Sequence, residues 1–267
     1  MPTFLALPFP VIDPVIVAIG PFAIRWYALS YIAGLVLGWQ MAMRLAKKPG
    51  SVITPDEIDG FLVWATLGVI LGGRLGYVLF YNPAYYLQNP GEIIAVWTGG
   101  MSFHGGMLGV VIALLIYARR SGFALFAFAD IIACVAPIGL FFGRIANFIN
   151  GELWGRVAPD VAWAMVFPTG GPEPRHPSQL YQAAMEGLIL FGLLNILRLR
   201  SDAMQKPGLI TGLFLIGYGL ARIIGELFRQ PDQQLGFLIG GTTMGQWLSL
   251  PMVLLGLWFM ARAKKPG

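Results

Sequence analysis

Seven long apolar runs alternate with short polar stretches along this chain, at 22–43, 58–81, 101–118, 123–142, 178–197, 208–228 and 244–262. Each run is close to the roughly 20 residues a helix needs to cross the hydrocarbon core of a bilayer. None shows the short, strictly alternating pattern of a transmembrane barrel strand. The pattern predicts an all-α polytopic membrane protein with seven transmembrane helices. The longest connection, approximately 143–177, is rich in Pro, Gly and Trp. It is long enough for a small extracytoplasmic head and too short for a separate domain. The expected organisation is therefore a single integral membrane domain over 1–267 with one head insertion.

Composition agrees. Of the 267 residues 57% are hydrophobic and only 12% charged, and mean hydropathy is +0.69. A soluble domain carries about 25% charged residues, so soluble, disordered and collagen-like chains are excluded. The basic residues then set the orientation. Arg44, Lys47, Lys48, Arg119, Arg120, Arg198, Arg200, Lys206, Arg262, Lys264 and Lys265 all fall on one side of seven spans. They make up 11 of the 18 basic residues and include every lysine. The positive-inside rule makes that side cytoplasmic, with the N-terminus outside and the C-terminus inside. The first basic residue is Arg25, so no signal peptide is expected. The single cysteine, Cys134, excludes an intrachain disulfide and a multi-cysteine metal site.

The other basic residues are Arg25, Arg74, Arg144, Arg156, Arg175, Arg222 and Arg229, within spans or on the outer side. Snorkelling or a structural ion pair accounts for any one of them. As a group they describe a cavity in the outer half that attracts an anion, because intramembrane charge is costly and functional by default. No internal repeat is evident, which weakens a transporter reading.

Four clusters carry chemistry. His104 lies among five glycines between Gly99 and Gly109. These glycines either bring backbones together or break a helix beside a cavity. The imidazole serves as a base near neutral pH or as an interhelical hydrogen bond. Arg144, Asn147, Asn150, Glu152, Gly155 and Arg156 form the second cluster, expected where the helix breaks into the outer loop. Carboxamides and a guanidinium at a membrane surface suit a phosphate or a polar headgroup. His176, Ser178 and Tyr181 form the third, with Ser178 as an expected helix N-cap. In the fourth, Tyr218, Arg222, Glu226 and Arg229 share a helical arc of about 80°. Arg222 and Glu226 are an i, i+4 pair, and Arg229 is left without an acid of its own.

These clusters together resemble the prolipoprotein diacylglyceryl transferase family. The signature Gly-Arg-x-x-Asn-Phe-x-Asn-x-Glu-x-x-Gly runs from Gly143 to Gly155. His-Gly-Gly at 104–106, His-Pro-Ser-Gln-Leu-Tyr at 176–181 and Tyr-Gly-x-x-Arg-x-x-x-Glu-x-x-Arg at 218–229 match in order, and Arg25-Trp-Tyr27 resembles the start of the family's first span. The resemblance implies seven helices and a periplasmic head in the bacterial cytoplasmic (inner) membrane. It implies transfer of diacylglyceryl from phosphatidylglycerol to the lipobox cysteine of a preprolipoprotein, whose signal peptide is the protein partner. Membrane lipid is the other partner, and no nucleic acid, cofactor or metal is expected. Its implied catalytic residues are His104, Arg144, Tyr218, Arg222 and Glu226. Its implied substrate-binding residues are Arg144, Asn147, Asn150, Glu152, Gly155, Tyr27 and Arg229. The competing classes are an anion transporter or channel and a membrane scaffold.

Overall fold

The computed structural model describes residues 7–10, 12–20, 22–81, 83–231 and 236–264. It is mostly helical. Two short strands, β1 (Leu7–Pro8) and β2 (Val15–Ile19), precede β3 (Phe22–Arg25). The helices are α1 (Trp26–Ala46), α2 (Pro55–Phe80), α3 (Pro83–Gln88), α4 (Phe103–Ser121) and α5 (Leu125–Ile149). After β4 (Met165–Val166) come α6 (Ser178–Arg200), α7 (Leu209–Glu226) and α8 (Met244–Arg262). Among the described residues five helices, α2, α5, α6, α7 and α8, are long and apolar enough to cross a membrane. α2 exposes Val63, Leu71 and Leu79, α6 exposes Leu193 and α8 exposes Leu254, large apolar side chains that suit hydrocarbon better than water. The protein is polytopic.

The chain forms two compact units. Ala42–Phe128 is one. There the N-terminus of α2 is closed by a capping box: Thr54 Oγ1 accepts from Glu57 N at 3.3 Å and Glu57 Oε2 accepts from Thr54 N at 2.6 Å. Gly68, Gly72 and Gly76 on α2 lie against Gly105 and Gly109 on α4 so closely that a Cβ at Gly68 would stand 2.7 Å from Gly109 O. Gly105 and Gly109 beside His104 therefore serve close helix packing, while Gly99 and Gly100 turn the chain before α4 at φ 86° and 75°. They do not break α4, which is continuous from Phe103. Arg74 is buried and donates to the carbonyls of Glu92, Ile93, Gly99 and Gly100, so it ties down the 90–100 connection.

Met1–Met41 with Ala129–Gly267 is the other unit. Phe22–Arg25 is a strand of a β2–β3 hairpin rather than the first turn of the expected 22–43 helix, and Arg25 is exposed. Fully buried Asp130 accepts from Gly208 N, Thr211 N and Thr211 Oγ1 at 2.8, 2.7 and 2.6 Å. A carboxylate here answers the unmet N–H groups that open α7. Gly212 on α7 meets α8, where a Cβ would lie 2.7 Å from Gly256 O. Gly187 brings α6 onto Phe141 of α5.

Candidate active site

α5 does not stop near 142 as its apolar run suggested. It continues to Ile149, so Arg144 and Asn147 stand on its last two turns rather than in a loop. They remain helical because each has a partner. Arg144 donates from Nε and Nη2 to Glu186 Oε2 at 3.0 and 2.9 Å. Asn147 Nδ2 donates to Glu152 Oε1 at 2.8 Å. The chain reverses just after α5, where Gly151 has φ 65° and Leu153 φ 56°. A left-handed Leu is strained. Ser178 Oγ donates to its carbonyl at 2.9 Å, and Gln179 Nε2 donates to Glu152 O at 2.6 Å. Ser178 is thus a cross-link from α6 to the 150–155 turn. It does not act as the N-cap, a position Pro177 occupies without a side-chain bond.

The cations gather on two glutamates. Arg222 Nη2 lies 2.7 Å from Glu226 Oε1, and Arg229 Nη1 donates to the same oxygen at 3.2 Å. Arg229 therefore shares the acid of Arg222, which corrects the expectation of a cation without an acid. It lies just past the end of α7, where its backbone bridges to Gly155. Arg222 Nη1 stands 3.8 Å from Glu186 Oε1, so Glu186 links both arginines. Glu186 and Glu226 are 0% and 2% exposed, against 16% and 14% for the side chains of Arg144 and Arg222. Among the described residues the guanidiniums of Arg144, Arg222 and Arg229 gather on the carboxylates of Glu186 and Glu226. Arg222 Nη1, Glu186 Oε1 and both amide atoms of Gln182 are buried without a hydrogen bond. Buried polar atoms are rarely left so.

Tyr218, one turn before Arg222, lies within electrostatic reach of Arg144, Arg222, Glu186 and Glu226. Tyr27 hydrogen-bonds Tyr31 at 3.1 Å and lies within reach of Glu152 and Arg144. Asn150 Nδ2 approaches Glu152 Oε1 at 3.5 Å, completing an Asn147–Asn150–Glu152 group. Gly155 has a packing reason: a Cβ would lie 2.5 Å from His176 O and 2.7 Å from Phe228 O. Two further arginines are used on backbone. Arg156 donates to Glu226 O at 2.9 Å and Arg229 O at 3.1 Å, and Arg175 donates to Gly170 O at 2.8 Å beneath Trp154. Of the seven arginines, with five or more expected to converge, Arg144, Arg222 and Arg229 meet at the glutamates with Arg156 behind them. Arg25 is exposed, and Arg74 and Arg175 hold carbonyls.

His176 Nδ1 faces Tyr181 OH at 3.1 Å, and Trp163 Nε1 donates to that hydroxyl at 2.6 Å. Burial, and then the Arg156 charge, push its pKa below the usual histidine value. The backbone of His104 is in the first turn of α4, and its side chain lies outside the described residues. Among the described residues no three His, Cys, Asp or Glu side chains are grouped to hold a metal ion.

Sequence reasoning passed over Glu186 and Gln182. The signal was present: Glu186 is an isolated acid in the apolar run 178–197, and an intramembrane acid marks a site by default.

These features define a polytopic membrane protein with a buried arginine–glutamate centre. Comparison then gives the family. The profile of prolipoprotein diacylglyceryl transferase matches residues 14–262, and the chain belongs to that family. It is 61% identical over 262 residues to a phosphatidylglycerol–prolipoprotein diacylglyceryl transferase of Paramagnetospirillum magneticum, covering 98% of this chain and 97% of that one. It is 60% identical over 264 residues to the protein of that name from Rhodospirillum rubrum, covering 98% and 96%. The protein of that name from Rhodospirillum centenum is 57% identical over 259 residues, covering 96% and 94%.

Proposed function

We propose that this chain transfers the diacylglyceryl group of phosphatidylglycerol to a cysteine thiol of a preprolipoprotein. The acceptor is the lipobox cysteine behind the signal peptide. The thiolate sulfur attacks the glyceryl carbon that bears the phosphate oxygen. A C–S thioether bond forms, the C–O bond breaks, and glycerol phosphate leaves with the electron pair. The thiol proton passes to His104, the expected base. Arg144 and Arg222 bind the phosphate and the charge that develops on it. Such fixed donors act most strongly in a dry site. Glu226 and Tyr218 hold Arg222, while Asn147, Asn150, Glu152, Gly155, Tyr27 and Arg229 shape the headgroup pocket.

The observation that carries this reading is the buried cluster of Arg144 and Arg222 on Glu186 and Glu226, with an N–H group of Arg222 that is buried and has no hydrogen-bond partner. The family and the names of its members supply the donor and the acceptor. In the same reading α1 and α4 join the five apolar helices as spans, giving seven. The 150–177 segment is then an extracytoplasmic head, the N-terminus lies outside, and the enzyme occupies the bacterial cytoplasmic (inner) membrane. The lysine distribution supports that orientation.

The test is mass spectrometry of a synthetic lipobox peptide incubated with the detergent-solubilised protein and phosphatidylglycerol. The peptide should gain one diacylglyceryl group on cysteine. An unmodified peptide overturns the assignment. The transport reading needs a sealed membrane and predicts no covalent product; relatives named as transferases do not favour it.

A further inference from the structure

Glu186 is a fully buried carboxylate in the middle of an apolar helix. Its Oε2 accepts both bonds from Arg144, while Oε1 faces Arg222 Nη1 at 3.8 Å and accepts none. The acid is thus bonded to one arginine and only near the other. Local structure enforces the placement. Glu186 lies in the π-helical segment Ala183–Ile189 of α6, and such segments collect at functional sites. The next residue, Gly187, lets α6 approach α5, since a Cβ there would lie 2.7 Å from Phe141 Cβ. Glutamate is not required merely to fill this space, because a buried ion pair is weak evidence for stability.

The charge of the reaction suggests what the acid does. The phosphodiester of the donor carries one negative charge. The departing glycerol phosphate monoester approaches two near neutral pH. Buried guanidiniums with no fixed anion beside them would hold that product tightly and slow its release. Glu186 competes for the same N–H groups.

We propose that Glu186 is a positioning residue and an internal counter-ion. It fixes the plane of the Arg144 fork and competes with the phosphate of the product for Arg144 and Arg222. The proposal rests on the transfer reading above, and the experiment separates the two.

Full-length protein in detergent is titrated with inorganic phosphate and with glycerol phosphate, for the wild type, Glu186→Gln and Glu186→Asp. Thermal unfolding checks that each variant is folded. Glu186→Gln removes the charge at nearly constant shape. It should bind both anions at least about tenfold more tightly than the wild type, with a lower kcat and an unchanged or lower KM for phosphatidylglycerol. Glu186→Asp withdraws the charge by one methylene and should shift affinity in the same direction by less. A purely structural acid would lower stability without tightening anion binding. A folded variant of either kind that binds phosphate no more tightly than the wild type overturns the proposal. If phosphate binding tightens while the wild type never modifies the lipobox peptide, the counter-ion role stands and the transfer reading falls. Transfer without tightening gives the reverse.

Discussion

Arg144 on α5 and Glu186 on α6 are joined by two hydrogen bonds of 3.0 and 2.9 Å to a single carboxylate oxygen. That contact uses the Nε edge of the guanidinium, and the proposed phosphate contact uses Nη1. A lysine ammonium is a point charge without a planar fork, so it cannot hold Glu186 and a phosphate in the same way. Arg144→Lys and Arg222→Lys should each lower turnover by about 100-fold or more, read as the rate of lipobox-peptide modification. Near-normal turnover in either variant would remove the bidentate role.

Gly155 tests whether a motif glycine acts by packing. Its N–H donates to His176 O at 2.9 Å, and an added Cβ would press on His176 O at 2.5 Å and Phe228 O at 2.7 Å. Backbone atoms cannot swing aside as a side-chain end can. Gly155→Ala should cost about 1–3 kcal/mol of stability and displace the adjoining Arg229 bridge. A lowered melting temperature with reduced activity is expected. Full stability with lost activity would instead favour direct contact between Gly155 and substrate.

The apolar runs located the long helices because length and hydropathy act locally. Helix ends were less legible where polar residues continue a helix by pairing over long distances. Arg144 reads as the start of a loop until Glu186, in another span, is known to meet it. Arg229 looked unopposed because its partner, Glu226, had already been assigned to Arg222. The β2–β3 hairpin was hidden since Val15–Ile19 and Phe22–Arg25 are as apolar as the helix that follows. The π-helical turn at Ala183–Ile189 has no sequence signal comparable to a cap or a glycine turn. The groups Arg222–Glu226 and Asn147–Glu152 were within reach of sequence reasoning because short spacing sets their proximity.

Cys134 is the residue most easily mistaken for a nucleophile, as the only cysteine of a chain proposed to modify a thiol. It is fully buried in α5, its carbonyl accepting from Asn195 Nδ2 at 3.2 Å. A buried free cysteine behaves as a small hydrophobe. Cys134→Ala should retain turnover within about twofold, with at most a modest loss of stability. An inactive but well-folded variant would bring back a covalent-enzyme mechanism.

His176 should make stability depend on pH. Its folded pKa is depressed, first by burial and then by Arg156, so the unfolded chain binds its proton more readily. Linkage then gives stability that is present above the ordinary histidine pKa of about 6.5 and is lost as pH falls through the lower folded value. His176→Gln removes this titration. Melting in detergent should fall less between about pH 7.5 and pH 5.5 in the variant than in the wild type. Identical slopes would show that His176 does not contribute.

His104 is the other histidine, and its proposed duty is chemical. The first turn of α4 that carries it is well anchored. Ser102 Oγ accepts from Gly105 N at 3.2 Å, Ser102 N donates to Gly73 O at 2.8 Å, and Gly105 has no room for a side chain against α2. Replacing the imidazole should therefore disturb chemistry more than fold. Glutamine still hydrogen-bonds but takes no proton near neutral pH. If His104 removes the thiol proton, His104→Gln should lose far more kcat than lipid affinity. The deficit should shrink at high pH, because a thiol of pKa about 8.5 then ionises unaided. The measurement is the pH–rate profile of His104→Gln beside the wild type, with phosphatidylglycerol binding determined separately. A deficit that stays constant to well above the thiol pKa, or that follows lost lipid affinity, would make His104 a headgroup or structural contact. The proton would then leave through another group or through water.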